Sequence, residues 1–352
     1  MPNSERARCA CALESSPPLA RRLGTRARGL AFAVVLVGAS VFATRAEAQQ
    51  QAQGFAVDRL YPSAPGGGWF VMDDLDLHGG LGGAASVTTG YAMKPLRVTD
   101  GSQHLAVVSD RATTDFGFAV TYDRWRLYLD LDAPLVSKGQ SGTVGAYQLT
   151  APSFDLGTRP DSFTDLRVGV DARLLGDPRS RFRLGAGAQL FVPNGSRGDY
   201  DASGAYFSDY ATDGTLRAMF RVLAAGDLGL FTYAGHLGVH IRPLDDTPTP
   251  GSPQGSELLF GVAAGARLPV SRDGATVVVV GPELYGETAF RSFFGTSATG
   301  VEGLLTGRLE RAASKGTKWR VKLGSGGGLD PHFGAPEWRI VVGIEIFDHN
   351  AL

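Results

Sequence analysis

From about residue 75 onward the chain is a succession of segments in which every second residue is apolar. That is the period of a β-strand whose two faces meet different surroundings. In 75–91 one side carries Leu75, Leu77, Leu81, Ala85, Val87 and Tyr91, and the other Asp76, His78 and Ser86. Phe116, Phe118, Val120 and Tyr122 alternate up to Asp123-Arg124, and Trp125, Leu127, Leu129 and Leu131 answer, which predicts a tight hairpin. The same alternation covers 166–174, 182–192, 216–222, 231–241, 258–268, 278–288, 301–309, 319–325 and 338–346, for twelve predicted strands. The apolar faces hold no charged residue, whereas the opposite faces are full of charge.

The connections decide what such strands build. Those after even-numbered strands are short (123–124, 176–180, 225–227, 271–275 and 312–317), and those after odd-numbered strands are mostly longer and polar (92–103, 136–162, 193–214, 243–255 and 289–298). The exception is 330–336, which is also short. This predicts an all-β protein, a closed antiparallel transmembrane β-barrel of about twelve strands, with long extracellular loops and short periplasmic turns. Closure follows from the solvent, because a backbone in lipid must satisfy every polar group internally. Two irregularities predict bulges. The apolar parity changes between Leu105-Val107 and Phe116, placing one at 109–114, and Pro282 inside the ninth strand cannot donate to a ladder.

The first 48 residues differ from the rest. Arg21, Arg22, Arg26 and Arg28 precede an apolar run over 29–43, and Ala46-Glu47-Ala48 supplies a small-residue cleavage site, together a secretory signal peptide. The expected organisation is then a signal over 1–48, a periplasmic N-terminal segment over 49–74, the barrel over 75–347 and a short tail over 348–352. The whole chain has 34 basic and 35 acidic residues, and the signal removes seven Arg and three Glu, leaving 27 and 32, a net charge of −5. No basic excess remains for nucleic acid. Both cysteines, Cys9 and Cys11, fall in the signal, so no disulfide, thiol nucleophile or cysteine metal site is expected afterwards.

Several stretches resemble the N-terminal barrel of multi-domain OmpA-family outer-membrane proteins. They are Trp69-Phe70 through Leu75-Asp76-Leu77, YAMKPL at 91–96, DLRVGVDARLLGD at 165–177, LGAGAQLFVPNG at 184–195, GPELYG at 281–286, and 323–346. The resemblance covers essentially the whole chain after the signal and implies the barrel fold and a place in the cell outer membrane, reached after secretion through the inner membrane. The family usually continues into a peptidoglycan-binding domain. The sequence runs only a few residues past the last predicted strand, to Leu352, so a tethering role is not expected to carry over.

Candidate chemistry lies on the polar strand faces. The expected lumen lining is Arg126, Asp130, Asp132, Asp165, Arg167, Asp171, Arg173, Arg183, Arg217, Arg221, His236, His240, Glu283, Glu287, Glu302, Arg308, Arg320, Arg339 and Glu345. It reads either as a polar pore wall or as a mutually neutralising salt-bridged core, and the near balance of signs suits the second. His236 and His240 share a face but show no third metal ligand in the pattern. Asp199, Asp201 and Ser203 begin like a calcium loop, yet Tyr210 stands where its closing Glu belongs. Tyr200, Tyr206, Phe207 and Tyr210 on the same loop can bind a surface ligand or pack into the barrel mouth. No cofactor is expected, and the expected partners are outer-membrane lipid, the barrel-assembly machinery and a surface ligand at the long loops. Three functions stay open: a small, weakly selective pore for ions and small solutes, a non-conducting structural or surface-interaction barrel, and a lipid-modifying enzyme. The last lacks a His-x-Ser pair or a lipid-facing His.

Overall fold

The alternation closes into a ring in the computed structural model, which describes residues 50–348 except 102, 153, 156–163, 201–202, 245–251, 314–315 and 331–333. The signal segment, Asp201 and the tail after Asp348 lie outside the described residues. Twelve barrel strands follow in order: β1 (Leu81–Asp100), β2 (Gln103–Tyr122), β3 (Trp125–Lys138), β4 (Leu166–Leu175), β5 (Arg183–Val192) and β6 (Arg217–Leu228). Then come β7 (Phe231–Ile241), β8 (Glu257–Pro269), β9 (Thr276–Ala289), β10 (Thr299–Ala312), β11 (Thr317–Asp330) and β12 (Trp338–Asp348). Each pairs antiparallel with the next, and β12 returns to β1 from Trp338↔Met93 to Phe347↔Ala84. No edge strand is left open in the ring.

Burial is inverted relative to a water-soluble protein. Along the first half of β3, Trp125, Leu127, Leu129 and Leu131 point outward while Arg126, Tyr128 and Asp130 are buried, and β12 alternates in the same way. An apolar outside with charges inside is the arrangement a lipid environment selects, and the chain is a transmembrane barrel of the outer-membrane type. Hairpin turns of two residues, 123–124 and 229–230, cluster at one end, and Asp123 takes a left-handed conformation (φ 53) there. The longer connections cluster at the other end.

Four expectations are corrected. Leu75 and Leu77 belong to no strand: both are buried, and β1 begins at Leu81. The stretch 92–103 is a continuation of the ladder, because β1 and β2 each run for 20 residues, about 65 Å and well beyond a bilayer. Pro282 makes no bulge. The β8–β9 ladder is interrupted between Ala263↔Glu283 and Ala266↔Val280 without a change of register. The expected bulge near 109–114 does occur, between Ala112 and Thr113 where β2 meets β3.

The fourth correction matters most. The segment expected on the periplasmic side, 49–74, is described from Gln50 onward, and it is not beside the barrel. Gln50–Gln51 forms a parallel strand against Tyr147–Leu149 at the long-loop end, and the chain then descends through the lumen to Gly80 at the short-turn end. A twelve-stranded interior is wider than its own side chains fill. Here the chain itself occupies the space, with Trp69, Phe70, Val71, Met72 and Leu75 packed against inward-facing Leu223, Ala263, Val279, Tyr285, Leu304 and Val341. Two wall glycines shape this core: a Cβ at Gly265 or at Gly324 would run into the rings of Trp69 and Phe70.

Candidate functional site

The plug is held by polar seats from one end to the other. At the long-loop end, Ala52, Phe55 and Val57 join Leu96, Val98, Val107, Val108 and Tyr210 in a second apolar cluster that caps the lumen. Loop backbone and side chains fix the entering strand: Gly54 N–H donates to Arg197 O (3.0 Å), Ala56 N–H to Asp213 Oδ1 (2.8 Å) and Val57 N–H to Tyr210 O (3.1 Å). Asp213 is itself clasped by Arg242 (2.7 Å) and Arg217 (3.6 Å). Burial opposes its charge, but Arg242 and then Arg217 outweigh it and hold the carboxyl well below the usual range.

Inside, each charged plug residue meets wall groups of opposite sign. Asp58 pairs with Arg339 (2.9 Å) and more distantly with Arg111 (3.8 Å). Arg59 bridges Glu257 (3.1 Å) and Glu287 (3.0 Å). Asp73 pairs with Arg126, and Asp74 with Arg308 (3.3 Å). The chain doubles back through Gly66, Gly67 and Gly68, where Ser63 N–H donates to Phe70 O (2.7 Å). At the tip of this fold the N–H groups of Phe70 and Val71 both donate to Glu283, which also accepts the Thr306 hydroxyl (2.6 Å). The Lys322 ammonium lies 5.0 Å from the Phe70 ring centroid and donates to Trp69 O (3.1 Å). Arg173 donates to Leu77 O, fixing the exit of the segment.

The wall also pairs with itself. Arg167 meets Asp130 (2.9 Å), Arg217 meets Asp165 (2.6 Å), Arg221 meets Asp171 (3.4 Å), Arg320 meets Glu345 (2.6 Å) and Arg339 meets Glu302 (3.0 Å). Arg183 reaches Asp227 at the turn end (2.8 Å). Among the described residues, one cavity of about 70 Å³ lies beneath the cap, lined by Asp58, Arg111 and Asp132 among others, and one of about 20 Å³ lies beside Arg59 and Glu287. These hold a few water molecules at most.

All nineteen expected lumen residues therefore face the interior. Seventeen are buried, and Asp132 and His236 are half-buried. Pattern reading missed their partners in the plug, Asp58, Arg59, Asp73 and Asp74, because that segment has no strand period. The one available signal was the charged pair Asp73-Asp74 directly after the apolar run 69–72. It also missed Asp115, Glu257, Lys322 and Arg242, which close the network. His240 does find company: Glu257 and Glu287, brought beside it by the next two strands, offer ligand atoms that lie with one of its ring nitrogens all within 4.8 Å of one another.

The aromatic loop residues divide. Tyr210 is buried against Phe55 (5.9 Å, edge-on) and donates to Thr150 O (3.1 Å), and burial pushes its hydroxyl up from the ordinary value. Tyr200 is exposed, with Tyr206 edge-on to it at 5.4 Å, and Phe207 is half-buried. Of the calcium candidates, Asp199 Oδ1 accepts the Tyr200 N–H (2.8 Å) and Ser203 is exposed.

No protein-family model matches the chain, and no curated protein matches it. Among solved structures, it is similar to an outer-membrane channel from Pseudomonas putida F1 at 12% identity and a TM-score of 0.46, over 76% of this chain and 95% of that one. It is also similar to the NanC porin at 9% identity and a TM-score of 0.41, over 75% and 98%. The β-domain of the Bordetella autotransporter BrkA is similar at 13% identity and a TM-score of 0.37, over 75% and 98%.

Proposed function

We propose that the protein is a non-conducting, non-enzymatic outer-membrane barrel, shut by its own N-terminal segment and acting through the surface at its long-loop end. The observation that carries this reading is the seat of Phe70 and Val71 on Glu283 in mid-lumen, with the cap of Phe55, Val57 and Tyr210 above it. Ions would have to cross two apolar clusters and a series of paired charges. The OmpA-type resemblance of the strand motifs suits a structural barrel of this kind. Lumen carboxylates such as Asp165, Glu283 and Glu345 are engaged by arginines or backbone N–H groups, and the reading assigns no catalytic step. Its partners are outer-membrane lipid around the apolar wall, the assembly machinery during insertion, and a surface ligand at the exposed loop residues such as Tyr200.

Single-channel recording of the refolded full-length chain in a planar bilayer tests it. The expected record is silent over long times and at either polarity. Steady openings would overturn this reading and restore the small, weakly selective pore that the strand pattern also allows.

A further inference from the structure

We propose that His240, Glu257 and Glu287 form a binding site for a divalent transition-metal cation of the zinc class, and that this cation competes with Arg59 of the plug for the two glutamates. The site stands on geometry from three adjacent strands. His240 is the last residue but one of β7, Glu257 opens β8 and Glu287 lies near the end of β9, so the three meet toward the loop end of the lumen. One imidazole nitrogen and one oxygen from each carboxylate lie within 4.8 Å of one another, with His240 Nδ1 at 3.8 Å from Glu257 Oε2. A modest closure brings such a set onto one ion.

The polar bookkeeping of the neighbourhood supplies an independent reason. His240 is completely buried, yet neither ring nitrogen has a hydrogen-bond partner, and Glu257 Oε2 also lacks one, while Glu287 Oε2 faces Arg59 Nε at 3.0 Å. Buried polar groups are ordinarily paired, and a cation between this unpaired imidazole and the two carboxylates would supply the pairing. The His240 ring packs tilted against Phe191 (5.2 Å) and at right angles to Tyr61 (5.6 Å), with its Nδ1 3.8 Å from Glu257 Oε2. One imidazole with two carboxylates is a donor set for zinc, manganese or iron rather than for magnesium or calcium, which take oxygen ligands.

Arg59 makes the site a point of exchange. Its guanidinium lies 3.1 Å from Glu257 and 3.0 Å from Glu287, and Arg242 also pairs with Glu257. A metal ion drawing both carboxylates toward His240 takes them from Arg59, and Arg59 is one of the charged anchors of the plug. Metal and plug thus draw on the same two side chains.

The test is calorimetric titration of zinc into the refolded full-length chain in detergent micelles, with a magnesium titration as control. One zinc per chain is expected, with His240→Gln and Glu287→Gln each weakening it at least about tenfold and Arg59→Gln tightening it. Failure of zinc to bind, binding that the His240 and Glu287 variants leave unchanged, or loosening by Arg59→Gln would overturn the proposal. Should those variants not fold, X-ray absorption on the zinc-loaded wild type decides: one imidazole with carboxylate oxygens supports it, and any other first shell overturns it. The readout is metal binding and not current, so it stands apart from the question of conduction.

Discussion

Glu283 of β9 accepts the N–H groups of Phe70 and Val71 at 2.9 Å each, one on either carboxylate oxygen. A wall carboxylate is thus neutralised largely by backbone dipoles of the plug, with no guanidinium paired to it among the described residues. Replacing Glu283→Gln keeps the shape but turns one accepting oxygen into a donor facing an N–H. We expect a loss of about 1.5–3 kcal/mol, the range for bonds to a charged group. Denaturant unfolding from lipid vesicles measures it, and an unchanged midpoint would count against this seat.

A second prediction concerns the fit of the plug. At Gly324 an added Cβ meets the Phe70 ring at 2.8 Å, and the ring is already enclosed by the wall. Gly324→Ala should destabilise by about 1–3 kcal/mol through overpacking. The companion change Phe70→Ala relieves the clash, so the double variant should cost less than the sum of the singles. Simple additivity in a double-mutant cycle would show that the two positions do not touch.

The inside–outside assignment can be ranked with neighbours in one strand. Leu129 faces lipid and Asp130 faces Arg167. Leu129→Arg should cost about 2–4 kcal/mol near mid-bilayer. Asp130→Asn should cost less, because Arg167 keeps Asp115 (3.9 Å) and the Pro62 carbonyl (2.8 Å). The opposite ranking would reverse the two faces.

Orientation is read from accessibility. With the long loops outside, a protease site inserted at Tyr200 or next to Gln50 should be cut on intact cells, and one at Gly229 protected until the outer membrane is breached. Cutting at Gly229 alone would invert the topology and leave the barrel standing. Protection of the Gln50 site would mean that the segment enters the lumen from the other end.

Acid should spare the cap. A carboxyl held low when folded contributes stability that is fully present above its unfolded value, about 3.9, and is lost only as pH falls through the lowered folded value. Asp213 is such a group, so its bond to the Ala56 N–H should survive from pH 7 to pH 4. Hydrogen exchange at Ala56, corrected for its intrinsic pH dependence, reports it directly. Loss of protection already at pH 5 would contradict the strength of the Arg242 clasp.

The sequence made the wall of this molecule legible and hid its filling. Leu127, Leu129 and Leu131 announce a lipid face because period two survives any detail of packing. The span 58–78 offers no period, since a chain running down a lumen meets wall on every side and has no face to repeat. Leu75 and Leu77 misled for the same reason: alternation over three residues is satisfied equally by a strand and by a buried irregular turn. The lumen charges were found one by one, but which pairs with which depends on strand register and on plug residues such as Asp73 and Arg59. The meeting of His240 with Glu257 and Glu287 spans three strands and could not be read from spacing.

The course of 50–78 through a ring that β12 and β1 seal imposes an order of assembly. A closed hoop of backbone hydrogen bonds admits a segment only end-on, and here that passage would carry Asp58, Arg59, Asp73 and Asp74 stripped of their partners past an apolar cluster. The inexpensive route is for the sheet to wrap around the segment, with the β12–β1 seam zipped last. The first part of the folded chain then serves as the mandrel on which the barrel is wound, and substitutions at Trp69 or Phe70 should delay sealing of the seam more than any change on the lipid face does.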